Sequence, residues 1–464
     1  MTTQIHTKPL LPVANPTLSY WRSEPHRLDS HRSTEQLPET CDVAIIGTGF
    51  SGVSVAYNLS GPQDSNNTES PPPSILLLEA RQVCSGATGR NGGHVKLKTE
   101  SILSLIQAHG VEAADQSAAL VRAQIDALKA LVEKEQLDCE FELRRSYDVF
   151  LHADEARAME GRWRECLRRG DPLTREHDFV GGGEEFAERV TSVRGARAAF
   201  SGPACSLWPY KLVTQLLERA MERNPRLNLQ TETPVLSVEA VEGGRAGTIV
   251  HTDRGSVRAK KVVFATNAYT AGLLPQYQGV INPYRGTASH LAPPKGADPV
   301  FPHLSHTYNI EYGLQYPVTT TVDYLNPRPD GGIVVGGGRW LYQEPRELWQ
   351  NNIDDSKLIE PVLEAGYFEG YMQRVFRGWE SSGTELDKVW TGIMASTKDG
   401  MPHVGKVPQR ENQWVIAAFN GAGMTQILLL GKAVADMVKD DKPFREIDAI
   451  VPRLFQTTLE RMET

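Results

Sequence analysis

The sequence predicts an α/β fold that begins with a Rossmann-like unit, and three observations carry this prediction. An apolar strand at residues 43–46 runs into the glycine motif of residues 47–52. A second apolar strand, residues 74–78, ends in Glu79. A third strand, residues 414–418, again leads through a glycine turn into a helical pattern. The first two strands predict a βαβ unit that binds a dinucleotide, and the third adds a second helix start of the same kind.

The first motif has the order strand, GxGxxG and helix. In a dinucleotide fold one glycine makes the turn, one lets the backbone approach a pyrophosphate and one lets the helix pack on the strand. The N-terminus of the helix then faces the anion. A glycine-rich surface turn can imitate this pattern. The candidate cofactor residues here are Gly47, Gly49, Phe50, Ser51 and Gly52.

Glu79 stands where a dinucleotide fold places the acid that binds the ribose hydroxyls. The expected distance from the first glycines is about 20 residues. Here it is longer, because the polar, proline-rich residues 61–73 are inserted in the unit. An ordinary solvated carboxylate after a strand is the alternative. Ala80 and Arg81 follow Glu79 and join it as candidates.

The next segment, residues 84–94, combines four glycines with small polar residues. Such a loop gives backbone N–H groups close access to phosphates and to a flat ring. A flexible loop without a ligand is the alternative. The candidate cofactor residues are Ser85, Gly86, Ala87, Thr88, Arg90, Asn91, Gly92, Gly93 and His94.

The rest of the chain alternates helices and strands. Apolar residues at helical spacing predict helices over residues 101–137, 209–220 and 361–376, and a hairpin is predicted around residues 253–255. The closing segment repeats the order strand, glycine turn and helix. Its candidate cofactor residues are Asn420, Gly421, Gly423, Met424 and Thr425. Two helix starts of this kind, with an acid between them, favour FAD over NAD.

The order of these motifs resembles the D-amino-acid-oxidase-type FAD-dependent oxidoreductases. Within them it is most similar to the branch that contains gamma-glutamylputrescine oxidase, glycine oxidase and sarcosine oxidase. The resemblance rests on the GxGxxG strand-turn-helix, on Leu78-Glu79-Ala80 and on residues 85–93. It extends to Ser19-Tyr20-Trp21 in the segment before the first strand.

The resemblance implies an α/β FAD-binding domain and an α+β substrate domain built on an antiparallel sheet. The FAD-binding domain would be discontinuous, over residues 41–100, 200–275 and 385–450. The substrate domain would take residues 101–199 and 276–384, with a tail at 451–464. Residues 1–40 would form an irregular arm on the domain surface. Further implied cofactor contacts are Val235, at the adenine, and Ala265, Thr266 and Asn267 after a returning strand.

The resemblance also implies oxidation of an amine: hydride leaves the carbon beside nitrogen, the imine hydrolyses, and oxygen becomes hydrogen peroxide. Tyr284, Arg285 and His290 are the catalytic candidates, because the family places their strand over the flavin. An ordinary strand-end pair and a satisfied polar histidine are the alternatives. A dehydrogenase of hydroxy acids or polyols and a non-catalytic flavin-binding module remain open.

Two departures from the family refine this expectation. Sarcosine oxidases carry a flavin-linking cysteine in the region that matches residues 392–399, and this chain has none there. FAD is therefore expected to bind non-covalently, with a link through His94 as the alternative. They also place a lysine that binds the substrate carboxylate where this chain has Thr425. A secondary amine, a polyamine conjugate or an alkaloid-like amine is therefore favoured over a simple amino acid.

Composition sets the remaining bounds. The 464 residues carry a net charge of -8 and no long basic tract, which excludes nucleic acid as an expected partner. Five scattered cysteines without CxxC spacing argue against a disulfide framework and a zinc site. A polar N-terminus and the lack of about 18 uninterrupted apolar residues predict a cytoplasmic protein without a membrane span. The oligomeric state stays open.

Overall fold

The structure, a computed structural model, describes residues 10–61, 71–181, 183–241, 247–296, 303–313 and 322–463. Residues 1–9 of the predicted arm and residues 62–70 of the predicted insertion lie outside these ranges. The strands are β1 (Thr40–Ile46), β2 (Ile75–Leu78), β3 (His94–Lys96), β4 (Glu142–Phe150), β5 (Asp178–Val180), β6 (Ala198–Ser206), β7 (Leu227–Gln230), β8 (Val235–Val241), β9 (Gly247–Thr252), β10 (Gly255–Phe264), β11 (Asn282–Ala292), β12 (Thr307–Glu311), β13 (Val322–Pro327), β14 (Ile333–Gly336), β15 (Glu385–Ser396), β16 (His403–Lys406) and β17 (Gln413–Ala417).

The α-helices are α1 (Phe50–Leu59), α2 (Thr99–Glu135), α3 (Ala153–Arg169), α4 (Pro172–Glu176), α5 (Glu184–Thr191), α6 (Pro209–Arg223), α7 (Thr270–Leu273), α8 (Glu360–Glu364), α9 (Tyr371–Val375), α10 (Ile427–Asp440) and α11 (Leu459–Glu463). Short 3-10 helices include Tyr20–Arg22, Ala87–Arg90 and Gly423–Thr425. Within the described ranges, no helix is both long and apolar enough to cross a membrane.

The first sheet has the strand order β16-β17-β10-β1-β2-β7. Strands β17, β10, β1, β2 and β7 run parallel to one another, whereas β16 pairs antiparallel with β17 and β9 antiparallel with β10. The central strands are apolar on both faces, because helices cover a parallel sheet on both sides. Helices α1 and α10 pack together there, and Gly431 of α10 leaves room for Ser54 of α1. Ser54 donates a hydrogen bond to the Leu428 carbonyl over 3.0 Å.

The second sheet has the order β15-β11-β14-β13-β12-β4-β6-β3. Its pairs are antiparallel apart from β12 and β4. The predicted fold class, an α/β sheet beside an antiparallel one, is confirmed. The division into two domains stays a prediction. Because β3, β6 and β15 pair in the second sheet, we propose that these strands belong with the substrate domain.

Two predicted elements differ from the structure. The single helix expected over residues 361–376 is two short helices, α8 and α9. Gly366 and Gly370 take left-handed φ values of +56° and +58° between them, which ends one helix and redirects the chain into the next. The arm does not stay on the surface either. Tyr20 is 7% and Trp21 is 0% exposed, and both belong to the main hydrophobic core.

Candidate functional site

A cavity of about 890 Å³ lies where the carboxyl ends of β1, β2, β10 and β17 face the second sheet. This edge of a parallel sheet is where α/β folds bind ligands. Its volume is at the large end of the range for small-molecule sites, about 300–1,000 Å³. The glycine turn, the acid after β2, the loop after it and the second helix start all line this one cavity.

The glycine turn lines the cavity with Gly47 and Gly49. Gly47 has φ +107°, and a Cβ there would come within 2.6 Å of the Ala265 carbonyl oxygen. Gly52 leaves no room for a Cβ against the Gly47 carbonyl. Phe50 donates its backbone N–H to Thr88 Oγ1 over 3.0 Å. Helix α1 therefore starts directly at the cavity with its N–H groups turned toward it.

Glu79 is fixed at the cavity edge by three donors. The backbone N–H and the hydroxyl of Thr48 donate to Oε2 over 3.0 and 2.6 Å, and the Arg81 N–H donates to Oε1 over 3.0 Å. A carboxylate has about four acceptor positions. The arrangement holds the carboxylate rigid and leaves acceptor capacity for a hydroxyl-bearing ligand.

Two arginines of the predicted cofactor set, Arg81 and Arg90, interact with the same buried carboxylate. Asp355, 1% exposed, accepts from Arg81 Nη1 and Nη2 over 2.9 and 3.1 Å. Arg90 Nε lies 3.6 Å from the same carboxylate. Both arginines line the cavity, yet their guanidinium groups are engaged with Asp355 and with backbone carbonyls. Their side chains fasten residues 85–93.

The second glycine turn is tied to the rest of the site by two asparagines. Asn267 Oδ1 accepts the Ala418 N–H over 3.0 Å, and Asn420 Oδ1 accepts the Thr397 N–H over 2.9 Å. Both residues have positive φ, +44° and +51°, which asparagine tolerates. The turn before α10 is thereby held at the cavity, where Gly423, Met424 and Thr425 line it.

Tyr284 lines the cavity beside an arginine that the sequence did not single out. The Arg339 guanidinium lies 5.4 Å from the Tyr284 ring centroid and 4.0 Å from that of Trp349. Among the described residues it has no carboxylate partner within ion-pair distance. Burial raises the pKa of Tyr284, so its hydroxyl stays protonated near neutral pH.

A buried carboxylate shapes the turn that presents Arg339. Asp323 Oδ1 accepts the Gly338 N–H over 2.9 Å, and Oδ2 accepts the hydroxyls of Tyr367 and Tyr371 over 2.5 and 2.7 Å. Burial raises the pKa of Asp323 to about 6. Gly337 leaves no room for a side chain against Asp323. These contacts fix the backbone directly before Arg339.

His94 and Lys96 extend from β3 into the cavity. Burial and the nearby Lys96 charge hold the pKa of His94 well below its ordinary value, so the ring is neutral. Its ring meets Tyr324 edge to face, with centroids 5.4 Å apart. Lys96 donates to the Tyr308 carbonyl over 2.6 Å, and burial lowers its pKa to about 7.

The structure brings most of the predicted residues together. Those that line the cavity are Gly47, Gly49, Phe50, Ser51, Glu79, Ala80, Arg81, Ser85, Gly86, Ala87, Thr88, Arg90, Asn91, Gly92, His94, Val235, Ala265, Thr266, Asn267, Tyr284, Arg285, Asn420, Gly421, Gly423, Met424 and Thr425. Gly52 and Gly93 do not; they stand behind the wall, where Gly52 packs on Gly47 and Gly93 packs on Trp21.

Two catalytic candidates do not fit that role. His290 lies away from the cavity: its ring stacks on Tyr20 with centroids 3.7 Å apart, and its Nδ1 is 2.8 Å from Asp387 Oδ2. Six residues along an extended strand span about 20 Å, which carries it far from Tyr284. Arg285 donates to the Leu348 and Lys357 carbonyls over 3.1 and 2.7 Å. Its guanidinium holds the segment that carries Asp355.

A model of the family described as FAD dependent oxidoreductase matches residues 42–437. The chain belongs to this family. The predictions of the family, of FAD as the cofactor and of an oxidoreductase are thereby confirmed.

The relatives agree with this membership. Gamma-glutamylputrescine oxidoreductase of Escherichia coli (strain K12) is 21% identical over 411 residues, covering 87% of this chain and 84% of that protein. The crystal structure of glycine oxidase from Geobacillus kaustophilus has a TM-score of 0.65 at 20% identity, covering 91% of this chain and 99% of that one. The crystal structure of L-proline dehydrogenase from P. horikoshii has a TM-score of 0.66 at 18% identity, covering 90% of this chain and 97% of that one. These structures share the fold.

The residues present fit FAD. The glycine positions at both helix starts leave backbone open to a long ligand. Two buried polar atoms on cavity-lining residues, Ser85 Oγ and Tyr269 OH, have no hydrogen-bond partner among the described residues. A polar ligand would satisfy them. Glu79, with acceptor capacity left, completes a set of donors and acceptors suited to a dinucleotide.

Proposed function

We propose that this protein oxidises the C–N bond of an amine that also carries a carboxylate, such as an amino acid or an N-substituted amino acid. FAD, when bound, accepts a hydride from the carbon beside the amine nitrogen. The single observation that carries the substrate proposal is Arg339, a guanidinium at the cavity without a carboxylate partner among the described residues. Arg339 would take the role of the carboxylate-binding lysine that sarcosine oxidases have where this chain has Thr425.

Arginine is suited to this task because its planar fork binds a carboxylate through two hydrogen bonds. Trp349 and Tyr284 flank the guanidinium and restrict its orientation. The Tyr284 hydroxyl, held protonated, can donate a further hydrogen bond to the same carboxylate. A Cβ on Gly421 would come within 3.3 Å of that hydroxyl, so Tyr284 faces the second glycine turn.

The amine must lose its proton before hydride transfer, since an ammonium nitrogen has no lone pair to support the developing imine. Neutral His94 presents an unpartnered buried Nδ1 that can accept a hydrogen bond from the amine. A carboxylate anchored at Arg339 and a nitrogen held at His94 would orient the reacting carbon. Oxygen is the acceptor that we propose, which makes hydrogen peroxide the second product.

The names of the relatives support the amine class: one is a gamma-glutamylputrescine oxidoreductase and another a glycine oxidase. The test compares amino acids with the amines formed by removing their carboxylate, scored by peroxide formation in air. We expect the amino acid of each pair to react better. Loss of the anchoring charged hydrogen bonds in Arg339→Met should lower kcat/KM by about 10- to 150-fold.

Arg339→Lys keeps the charge but not the fork and should fall between Arg339→Met and the unchanged protein. Arg346→Met is the matched control, because Arg346 is an exposed arginine paired with Glu344. It should behave as the unchanged protein does. Equal kcat/KM for Arg339→Met and the unchanged protein on the preferred amino acid would refute the anchor.

A further inference from the structure

We propose that the N-terminal arm, defined here as residues 10–22, is part of the cofactor site. Its first residues, Leu10–Pro12, form an apolar wall at the adenosine end of the cavity. Its later residues hold the glycine loop, defined as residues 85–93. The inference rests on the FAD site described above and is independent of the substrate.

The arm fastens the glycine loop through a series of hydrogen bonds. Ser19 Oγ donates to the Gly89 carbonyl over 2.6 Å, and Trp21 Nε1 donates to the Asn91 carbonyl over 2.6 Å. Arg90 Nη2 in turn donates to the Thr17 carbonyl over 2.6 Å. Trp21 is 0% exposed and packs where any side chain on Gly93 would stand. The loop conformation is therefore determined in part by the arm.

The beginning of the arm reaches the cavity itself. Leu10, Leu11 and Pro12 are half-buried and line it. The Val13 carbonyl accepts a hydrogen bond from Arg81 Nη1 over 3.1 Å. Arg81 lies two residues after Glu79 in the chain. This places the apolar residues at the end of the cavity that holds the ribose acid.

A second contact, with helix α7, holds Leu10 at the same end of the cavity. Leu10 packs on Gly272 of α7, where an added Cβ would lie 2.7 Å from Leu10 Cβ. Leu273, the next residue of α7, lines the cavity together with Val235 and Thr233. The apolar wall of Leu10–Pro12 thus faces the region where the adenine and its ribose would sit.

The arm is also anchored to two segments outside the glycine loop. Thr17 donates its backbone N–H and its hydroxyl to the Asp355 carbonyl over 2.7 and 3.0 Å. Thr391 of β15 donates its N–H to Thr17 Oγ1 over 3.0 Å. Because these anchors lie beyond Pro12, the wall can be removed while they are kept.

The experiment measures FAD and FMN affinity of the apoprotein by quenching of flavin fluorescence. The variant lacks residues 1–12, and the matched control lacks residues 1–9 and keeps the wall. FMN has the flavin and one phosphate but no adenosine. Loss of the wall should weaken FAD binding by about tenfold or more and leave FMN binding unchanged. The control should match the full chain with both flavins.

A point variant covers the case in which the truncated chain fails to fold. Leu10→Ala combined with Leu11→Ala keeps the backbone and removes most of the apolar wall, and should weaken FAD binding in the same direction. Unchanged FAD affinity in either folded variant would overturn the proposal. So would an equal loss of FAD and FMN, since the arm would then act on folding alone. An unmodified chain that binds FAD but oxidises no amine would refute the proposed function and leave the arm's role standing.

Discussion

The sharpest structural prediction concerns the carboxylate that binds two arginines beneath the cofactor loop. Asp355 is 1% exposed and accepts hydrogen bonds from Arg81 Nη1 and Nη2, with Arg90 Nε at 3.6 Å. Asp355→Asn keeps the shape and removes the charge. It leaves two buried guanidinium groups without their carboxylate, and the amide group places a donor against a donor.

Breaking a buried ion pair by removing one partner lowers stability by about 3–5 kcal/mol. That loss is large beside a typical free energy of unfolding of about 5–15 kcal/mol. We expect urea unfolding, followed by tryptophan fluorescence on the FAD-loaded protein, to show a loss in this range. Flavin release should occur in the same urea interval, because both arginines hold residues 85–93.

The neighbouring Asp354 supplies the matched control. The Asp354 side chain is less buried than that of Asp355. Its Oδ1 accepts hydrogen bonds from the N–H and the hydroxyl of Ser356, and its Oδ2 lies 3.9 Å from Nζ of the exposed Lys357. Asp354→Asn should therefore lower stability by at most about 1 kcal/mol. Adding Arg81→Met to Asp355→Asn removes one of the unpaired buried charges and should recover part of the loss. Equal unfolding free energies for the two single variants would refute the role of Asp355.

Three further predictions test other parts of the site. Gly52→Ala should weaken FAD binding, because its Cβ would collide with the Gly47 carbonyl. Unchanged FAD affinity in a fluorescence titration would contradict the role of this turn in cofactor binding. Lys96 has a pKa of about 7 in the folded state and 10.5 when unfolded, so its contribution to stability is full above pH 10.5 and is lost as the pH falls through about 7. Lys96→Met should flatten the rise in unfolding free energy between these pH values by up to about 1.4 kcal/mol per pH unit, and parallel curves for both proteins would contradict this. Acid precipitation should release the flavin into the supernatant, whereas flavin retained in the pellet would indicate a covalent link.

The parts of the site that the sequence predicts are those whose function depends on neighbours in the chain. A strand, a glycine turn and a helix start are contiguous, so Gly47 and Gly421 could be placed at the cavity without a structure. Glu79 could be placed because a strand end has a fixed position in a βαβ unit. In each case the local order of residues already defines the geometry.

The parts that it missed depend on contacts between distant segments. Asp355 lies in an irregular stretch, and only folding brings it to Arg81 and Arg90. Arg339 follows a glycine-ended strand, which was the available signal, but its partner Tyr284 lies on β11, far from it in the chain. His290 was misplaced because sharing a strand with Tyr284 does not mean sharing its neighbours.

The central claim is that this FAD-dependent protein oxidises a C–N bond, and anaerobic reduction of its bound flavin tests it most directly. The yellow holoprotein is mixed without oxygen with an amino acid and, separately, with the 2-hydroxy acid of the same carbon skeleton. We predict that the amino acid bleaches the flavin and that the hydroxy acid leaves it oxidised. Bleaching by the hydroxy acid alone would contradict the account and identify a dehydrogenase of C–O bonds.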